Sequence, residues 1–194
     1  MRALPLLCAS FLLLSLFAAP SHAQSIELYG GYSFVRASVA VPIQNQTCVI
    51  GGCPGPISGT TNLNGWEAGG AVKFIGPLSL AADFSGTSGT FHGANTHLQT
   101  YLVGPQLRFP GPISPFAHFL FGAAHESIGT GTFSGTGFTG PTQNAFATAI
   151  GGGLDLKVLP FISLRPIEFD YLLTRFNSGN QNQPRVSAGI VVHF

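Results

Sequence analysis

The chain has 194 residues, enough for one domain of ordinary size, yet only 8% of them are Asp, Glu, Lys or Arg, against about 25% in soluble globular proteins. Seven acids and eight bases leave a formal charge of +1, which excludes a nucleic-acid partner held by bulk charge. With 45% apolar residues, 26 Gly and 14 Pro, the composition excludes a disordered chain and argues against a helix-rich one. An all-β chain with a weakly polar exterior is left.

Met1–Ala23 carries one arginine, an apolar run from Leu4 to Ala19, and small residues at Ser21 and Ala23. This pattern predicts a signal peptide cleaved before Gln24. Pro20-Ser21-His22 ends the run short of the ~20 apolar residues that a membrane helix needs. The remaining unit is Gln24–Phe194, with seven bases against seven acids. No later stretch is apolar for long enough to predict a transmembrane helix.

Eight strands are predicted by alternation. In Ser25–Val39, Ile26, Leu28, Tyr32 and Phe34 oppose Glu27, Gly31 and Ser33. Asn64–Phe74 sets Trp66, Ala68, Val72 and Phe74 against Glu67, Gly69 and Lys73. Leu78–Gly86 sets Leu78, Leu80, Ala82 and Phe84 against Ser79, Asp83 and Ser85. In His97–Phe109, Tyr101, Val103, Leu107 and Phe109 oppose Thr100, Gly104, Gln106 and Arg108. Phe116–Glu126 is less regular, because Phe116 and Leu120 share the side of His118, Gly122 and Glu126. Asn144–Val158 puts Phe146, Ile150, Leu154, Leu156 and Val158 on one side, with Gly151, Gly153, Asp155 and Lys157 on the other. Ile162–Phe176 alternates cleanly only after Pro166, where a bulge is expected; beyond it Ile167, Phe169, Tyr171 and Leu173 oppose Glu168, Asp170 and Thr174. In Arg185–Phe194, Val186, Ala188, Ile190, Val192 and Phe194 oppose Arg185, Ser187, Gly189, Val191 and His193.

The charges sort with these faces. All seven acids (Glu27, Glu67, Asp83, Glu126, Asp155, Glu168 and Asp170) fall opposite the large apolar side chains, joined by Lys73, Arg108, Lys157 and Arg185. A soluble barrel would turn its apolar face inward and would rarely dress its exterior in Gly, Ala and Ser. The inverse arrangement is physically consistent: apolar residues meet lipid, charges pair inside, and a closed barrel satisfies every backbone group without an edge. On this assignment an outward Gly152 should accept leucine with little cost, whereas an inward Gly151 should not. The connections agree. Ile75-Gly76-Pro77, Pro110-Gly111-Pro112 and Leu159-Pro160 are tight, while Pro42–Asn62, Thr87–Thr96, Ser127–Gln143 and Asn177–Gln183 are longer, the alternation of periplasmic turns and outer loops.

The signal peptide, the eight amphipathic strands and the final Ala-Gly-Ile-Val-Val-His-Phe together resemble the small OmpA-like outer-membrane β-barrel family. The resemblance covers Gln24–Phe194 and implies an eight-stranded antiparallel up-and-down transmembrane barrel. It also implies that Phe194 serves as a recognition signal for the barrel-assembly machinery. The chain departs from full-length OmpA-type proteins in carrying no peptidoglycan-binding domain after the barrel, so no cell-wall tether is expected.

Candidate chemistry is sparse. Cys48 and Cys53 share the first long loop, without further Cys or His nearby to complete a zinc site. A disulfide that stiffens the loop is expected, worth roughly 2 kcal/mol in the chain-entropy model. His125, Glu126 and Ser127 have the residue types of a hydrolytic site, but neighbours on a strand point to opposite faces and cannot converge. His118 is expected to be a hydrogen-bonded interior residue. Arg36 and Arg175 lie on the apolar side at strand ends, placed to meet lipopolysaccharide headgroups or to snorkel into water. Neither a metal nor a cofactor is expected.

An eight-stranded barrel is just wide enough inside for side chains, so the interior charges should plug it. The expected protein is therefore a non-enzymatic bacterial outer-membrane barrel with a structural or adhesion-like surface role, in contact with outer-membrane lipid. Two other readings stay open: a narrow channel or small-ligand binder, because many inward residues are Gly, Ala or Ser, and a lipid-modifying barrel enzyme.

Overall fold

A computed structural model describes residues 26–41, 57–133, 136–176 and 179–194. The segment 1–23, and with it the cleavage site, lies outside the described residues, as do Cys48 and Cys53. The described strands are β1 (Ile26–Val41), β2 (Ile57–Ile75), β3 (Leu78–Phe91), β4 (Ala94–Arg108), β5 (Ile113–Ile128), β6 (Thr130–Phe133), β7 (Thr136–Thr139), β8 (Thr142–Leu159), β9 (Ile162–Phe176) and β10 (Gly179–His193). Eight of them close into one antiparallel barrel in the order β1-β10-β9-β8-β5-β4-β3-β2, and β6 and β7 form a separate hairpin within the β5–β8 connection. The fold class expected from the sequence is the one observed.

The tight connections 76–77 and 160–161 are turns, and 111–112 bends between β4 and β5. They define the turn end of the barrel. At the loop end the strands run further than alternation alone indicates. Thr87–Thr96 is a ladder to Phe91 and again from Ala94, joined by His92-Gly93 with φ of 47° and 80°, the double left-handed geometry of a tight two-residue hairpin. Similarly, β2 begins at Ile57, β10 begins at Gly179, and 127–143 contains the β6–β7 hairpin. These residues resemble loop in the sequence because their outward side chains are Ser, Thr and Asn. The backbone ladder nevertheless continues.

The reason is a reversal of polarity along the barrel axis. Between Phe74, Phe109, Phe161 and Phe194 at the turn end and Tyr32, Trp66 and Tyr101 higher up, the outer face is apolar and exposed. On β4 this belt spans the nine residues from Phe109 to Tyr101, eight steps of ~3.4 Å that rise about 21 Å at a tilt of ~40°, close to the height of an outer-membrane apolar band. Its upper rim is marked by ring hydroxyls with polar partners: Tyr32 donates to Asn64 Oδ1 at 2.5 Å and Tyr101 to Gln99 Oε1 at 3.1 Å. Above that rim the outward positions Arg36, Thr60, Asn62, Ser88, Thr90, Asn95 and His97 are exposed and polar. Inside, at the same level, Val35, Val39, Val41, Ile57, Leu63, Phe91, Leu98, Ile128 and Phe176 form a mainly apolar core, with Thr87, Thr96, Glu126 and Gln183 buried beside them. The wall is built for lipid below and for water above.

Pro166 marks a bulge, as expected. Leu154 pairs with Ile167 but Leu156 with Leu164, so two residues, Pro166 and Ile167, both point outward and are exposed. Inward parity therefore changes from odd (Ser163, Arg165) to even (Glu168, Asp170). The strand contacts also correct one expectation. Gly152 does face outward with Ile150, but a Cβ there would run into the Phe116 carbonyl oxygen of β5, and one at Gly151 into Asp170 and the Phe169 carbonyl. Backbone approach, rather than the medium outside, limits both sites.

Two measurements check this account. Ile150→Lys, at mid-belt, should cost about 2–4 kcal/mol in reversible unfolding from bilayers, whereas Asn144→Lys, above the rim, should change stability by less than about 0.5 kcal/mol. Gly151→Leu and Gly152→Leu should both destabilise by about 1–3 kcal/mol or more.

Candidate functional site

The barrel interior at the level of the apolar belt is filled by one connected lattice of charges. Arg185 on β10 is fully buried; its Nε and Nη2 donate to Asp170 Oδ2 at 2.9 and 2.5 Å, and its Nη1 donates to Asp83 Oδ1 at 2.8 Å. Glu67 Oε2 lies 3.7 Å from Arg185 Nε and accepts the Ser187 hydroxyl. His118 Nε2 meets Asp170 Oδ1 at 2.7 Å, which makes it the hydrogen-bonded interior histidine that was expected. Glu168 lies beside it and accepts Arg165 Nη1 at 2.9 Å. Arg165 also donates to both oxygens of Asp155, at 2.7 and 3.1 Å. Arg108 closes the chain, reaching Asp155 and, at 3.0 Å, Glu27 Oε2.

Of the interior charges read from the sequence, Glu67, Asp83, Asp155, Glu168, Asp170 and Arg185 are buried. Glu27 and Arg108 are nearly so, their side chains 13% and 10% exposed. Lys73 and Lys157 have inward register and line the turn-end cavity, where they are exposed. Each sits within two residues of its strand end, where a long cationic chain reaches water at little cost.

Arg165 was missed. Strict alternation breaks at Pro166 and assigns no face to the residues before the break. A parity change at the bulge would have sent Arg165 and Glu168 inward together. The guanidinium of Arg165 stacks between the Tyr29 and Phe116 rings, 4.2 and 4.1 Å from their centroids. This explains why Phe116 shares the polar face: it packs on a cation rather than on lipid.

His118, Glu168 and Asp170 bring ligand atoms within 4.8 Å of one another. Their donor set does not suit a metal, because Asp170 is already shared by His118 and Arg185 and Glu168 by Arg165. The nearby void measures about 30 Å³ and is lined by His118, Arg165 and Glu168, room for about one or two waters.

The two ends of the interior differ. Toward the loop end, Glu126 is 1% exposed among apolar neighbours, with Gln143 Nε2 donating to Oε2 at 3.1 Å and Oε1 unpartnered. Its chain neighbour His125 points outward to Asn144 Oδ1 at 2.6 Å, so His125 and Glu126 diverge as expected. At the turn end lies a cavity of about 240 Å³ lined by Glu27, Lys73, Arg108, Lys157, Ser163 and His193, among others. Within it Ser163 Oγ is 2.8 Å from His193 Nε2, and His193 Nδ1 is 3.4 Å from Glu27 Oε1. At the rim, the Phe194 N–H donates to the Ile26 carbonyl at 2.9 Å and the ring is 71% exposed.

Removing the cation of the lattice should be severe. Arg185→Met leaves Asp83 buried without its donor and Asp170 with His118 alone, and should cost about 3–5 kcal/mol, read as loss of the heat-modifiable folded band. Glu126→Gln removes a buried charge with half its acceptors unused and should stabilise by about 1 kcal/mol at neutral pH, measured by bilayer unfolding.

No protein-family model matches the sequence, and no curated protein does. Solved structures do match in fold. Neisserial surface protein A superposes with a TM-score of 0.63 at 14% identity, covering 87% of this chain and 97% of that one. Ail, the attachment invasion locus protein of Yersinia pestis, gives 0.58 at 16% identity over 88% and 99%. The outer membrane protein OprG of Pseudomonas aeruginosa gives 0.55 at 9% identity over 89% and 96%. The closed eight-stranded antiparallel ring is the architecture shared with these proteins, and it gives this chain the fold of the small OmpA-like outer-membrane β-barrels.

Proposed function

We propose that the protein is a non-conducting barrel of the bacterial outer membrane that acts through its cell-surface end, in an adhesion-like interaction with anionic material. The observation that carries this reading is the doubly closed interior. An ion lattice fills the belt level and an apolar core fills the level above it, so solute flow is opposed twice. What the fold offers to a partner is the polar wall above the aromatic rim together with its loops.

The charge of that wall is one-sided. All seven acids lie on the strands with their side chains inward, so among the described residues the outer wall bears Arg36 and Arg175 and no carboxylate. Such a surface favours phosphate and sulfate groups, on lipopolysaccharide or on a host glycan. A parallel lies in the Ail fold, which has been seen in complex with the heparin analogue sucrose octasulfate. On this reading Gln24 begins the mature chain, the turn end faces the periplasm, Phe194 is presented to the barrel-assembly machinery, and Cys48–Cys53 is a disulfide in an outer loop.

The narrow-channel reading is separated by conductance. Purified, folded protein in planar bilayers should show no discrete conductance steps. The same protein should bind immobilised heparin at low salt and release as salt rises, and the double change Arg36→Gln with Arg175→Gln should weaken binding at least fivefold. Stable conductance, or binding indifferent to both arginines, would sink the proposal.

A further inference from the structure

We infer that the turn-end mouth of the barrel holds a nucleophilic serine, Ser163, activated by His193 and Glu27 and suited to cleaving a small anionic ester. Three strand ends build it. Glu27 of β1 and His193 of β10 are direct cross-strand partners where the barrel closes. Ser163 of β9 pairs with Val191, two residues before His193 and on the same inward face.

The resulting contacts run in relay order. His193 Nε2 lies 2.8 Å from the Ser163 hydroxyl, placed to accept its proton, and His193 Nδ1 lies 3.4 Å from Glu27 Oε1, so the carboxylate flanks the ring on its far side. The second oxygen of Glu27 forms an ion pair with Arg108, 3.0 Å from its Nη2, which restrains the carboxylate. Nucleophile, base and an oriented acid are the parts that general-base activation of a serine requires. His118, by contrast, is enclosed by carboxylates that are themselves held by arginines, and Asp170 takes its Nε2.

The surroundings supply the rest. All three residues line the 240 Å³ cavity, and so do Lys73, Lys157 and Arg108. Lys157 is the direct cross-strand partner of Ser163, is exposed and lines the same cavity, so a cation is within the site for charge developing on an attacked carbonyl. The cationic rim selects an ester that also carries a carboxylate or phosphate.

In the first step Ser163 Oγ bonds to the ester carbonyl carbon while its proton passes to His193 Nε2. The ester C–O bond then breaks, and the alcohol leaves with that proton. Water, deprotonated by His193, attacks the acyl-serine and releases the acid and free Ser163. Water is the only co-reactant. The sequence alone gave no sign of this set, since its members lie at positions 27, 163 and 193. The inference is independent of the surface reading, which concerns the opposite end of the barrel.

The test uses the full chain folded in detergent or vesicles and a fluorophosphonate probe, with the adduct located by mass spectrometry. The expected result is an adduct on Ser163 of the folded protein, abolished in Ser163→Ala and reduced at least tenfold in His193→Gln, both variants checked for heat-modifiable folding. Turnover of p-nitrophenyl succinate should exceed that of p-nitrophenyl butyrate. Absence of a Ser163 adduct, or labelling equal in His193→Gln, overturns the assignment, and a preference for the neutral ester overturns the anionic substrate class. Should His193→Gln fail to fold, Glu27→Gln decides: labelling of Ser163 reduced at least tenfold in the folded variant supports the relay, and labelling equal to that of the unchanged protein overturns it.

Discussion

The constraint on which the structure depends is that one wall crosses two solvents. Lipid supplies no hydrogen bonds, so at the belt every backbone group must bond within the barrel and every charge must turn inward. Water above the rim lifts both demands, and the side chains exchange faces: Thr60, Asn62 and His97 outside, Val39, Leu63 and Leu98 inside. The same eight strands therefore enclose a polar filling below and an oily one above.

The polar filling tolerates little change. Six buried or nearly buried carboxylates are held by Arg108, Arg165 and Arg185 with His118, and each arginine bridges at least two acids drawn from different strands. Such a lattice ties non-neighbouring strands across the lumen, which ladder bonds cannot do. Breaking one partner strands the others in a site without solvent. The bulge at Pro166 belongs to this lattice, since without the parity change Arg165 and Glu168 would point to opposite faces.

Where lipid is the outer solvent, the fold was legible. Apolar residues at alternate positions on β3, β4 and β8, and the acids opposite them, fixed both the strands and their faces. Legibility failed at three places for separate reasons. Above the rim the outward residues are polar, so the strand ends resembled loop. At Arg165 the bulge interrupted the period, and at Gly152 the limit is the backbone of β5, which no single-strand pattern contains. The Ser163–His193–Glu27 contact depends on the first strand meeting the last. Closure of an up-and-down barrel implies that pairing, yet nothing local to any of the three residues signals it.

The oily core above the belt has a mechanical consequence. Between Tyr101 and Ala94 the strand β4 climbs seven more residues, about 18 Å at the same tilt. A hollow collar of that height would flex, but one packed with Val39, Leu63, Phe91 and Phe176 behaves as a solid pedestal. It gives the tight His92-Gly93 turn at the end of β3 and β4 a rigid support above the aromatic rim.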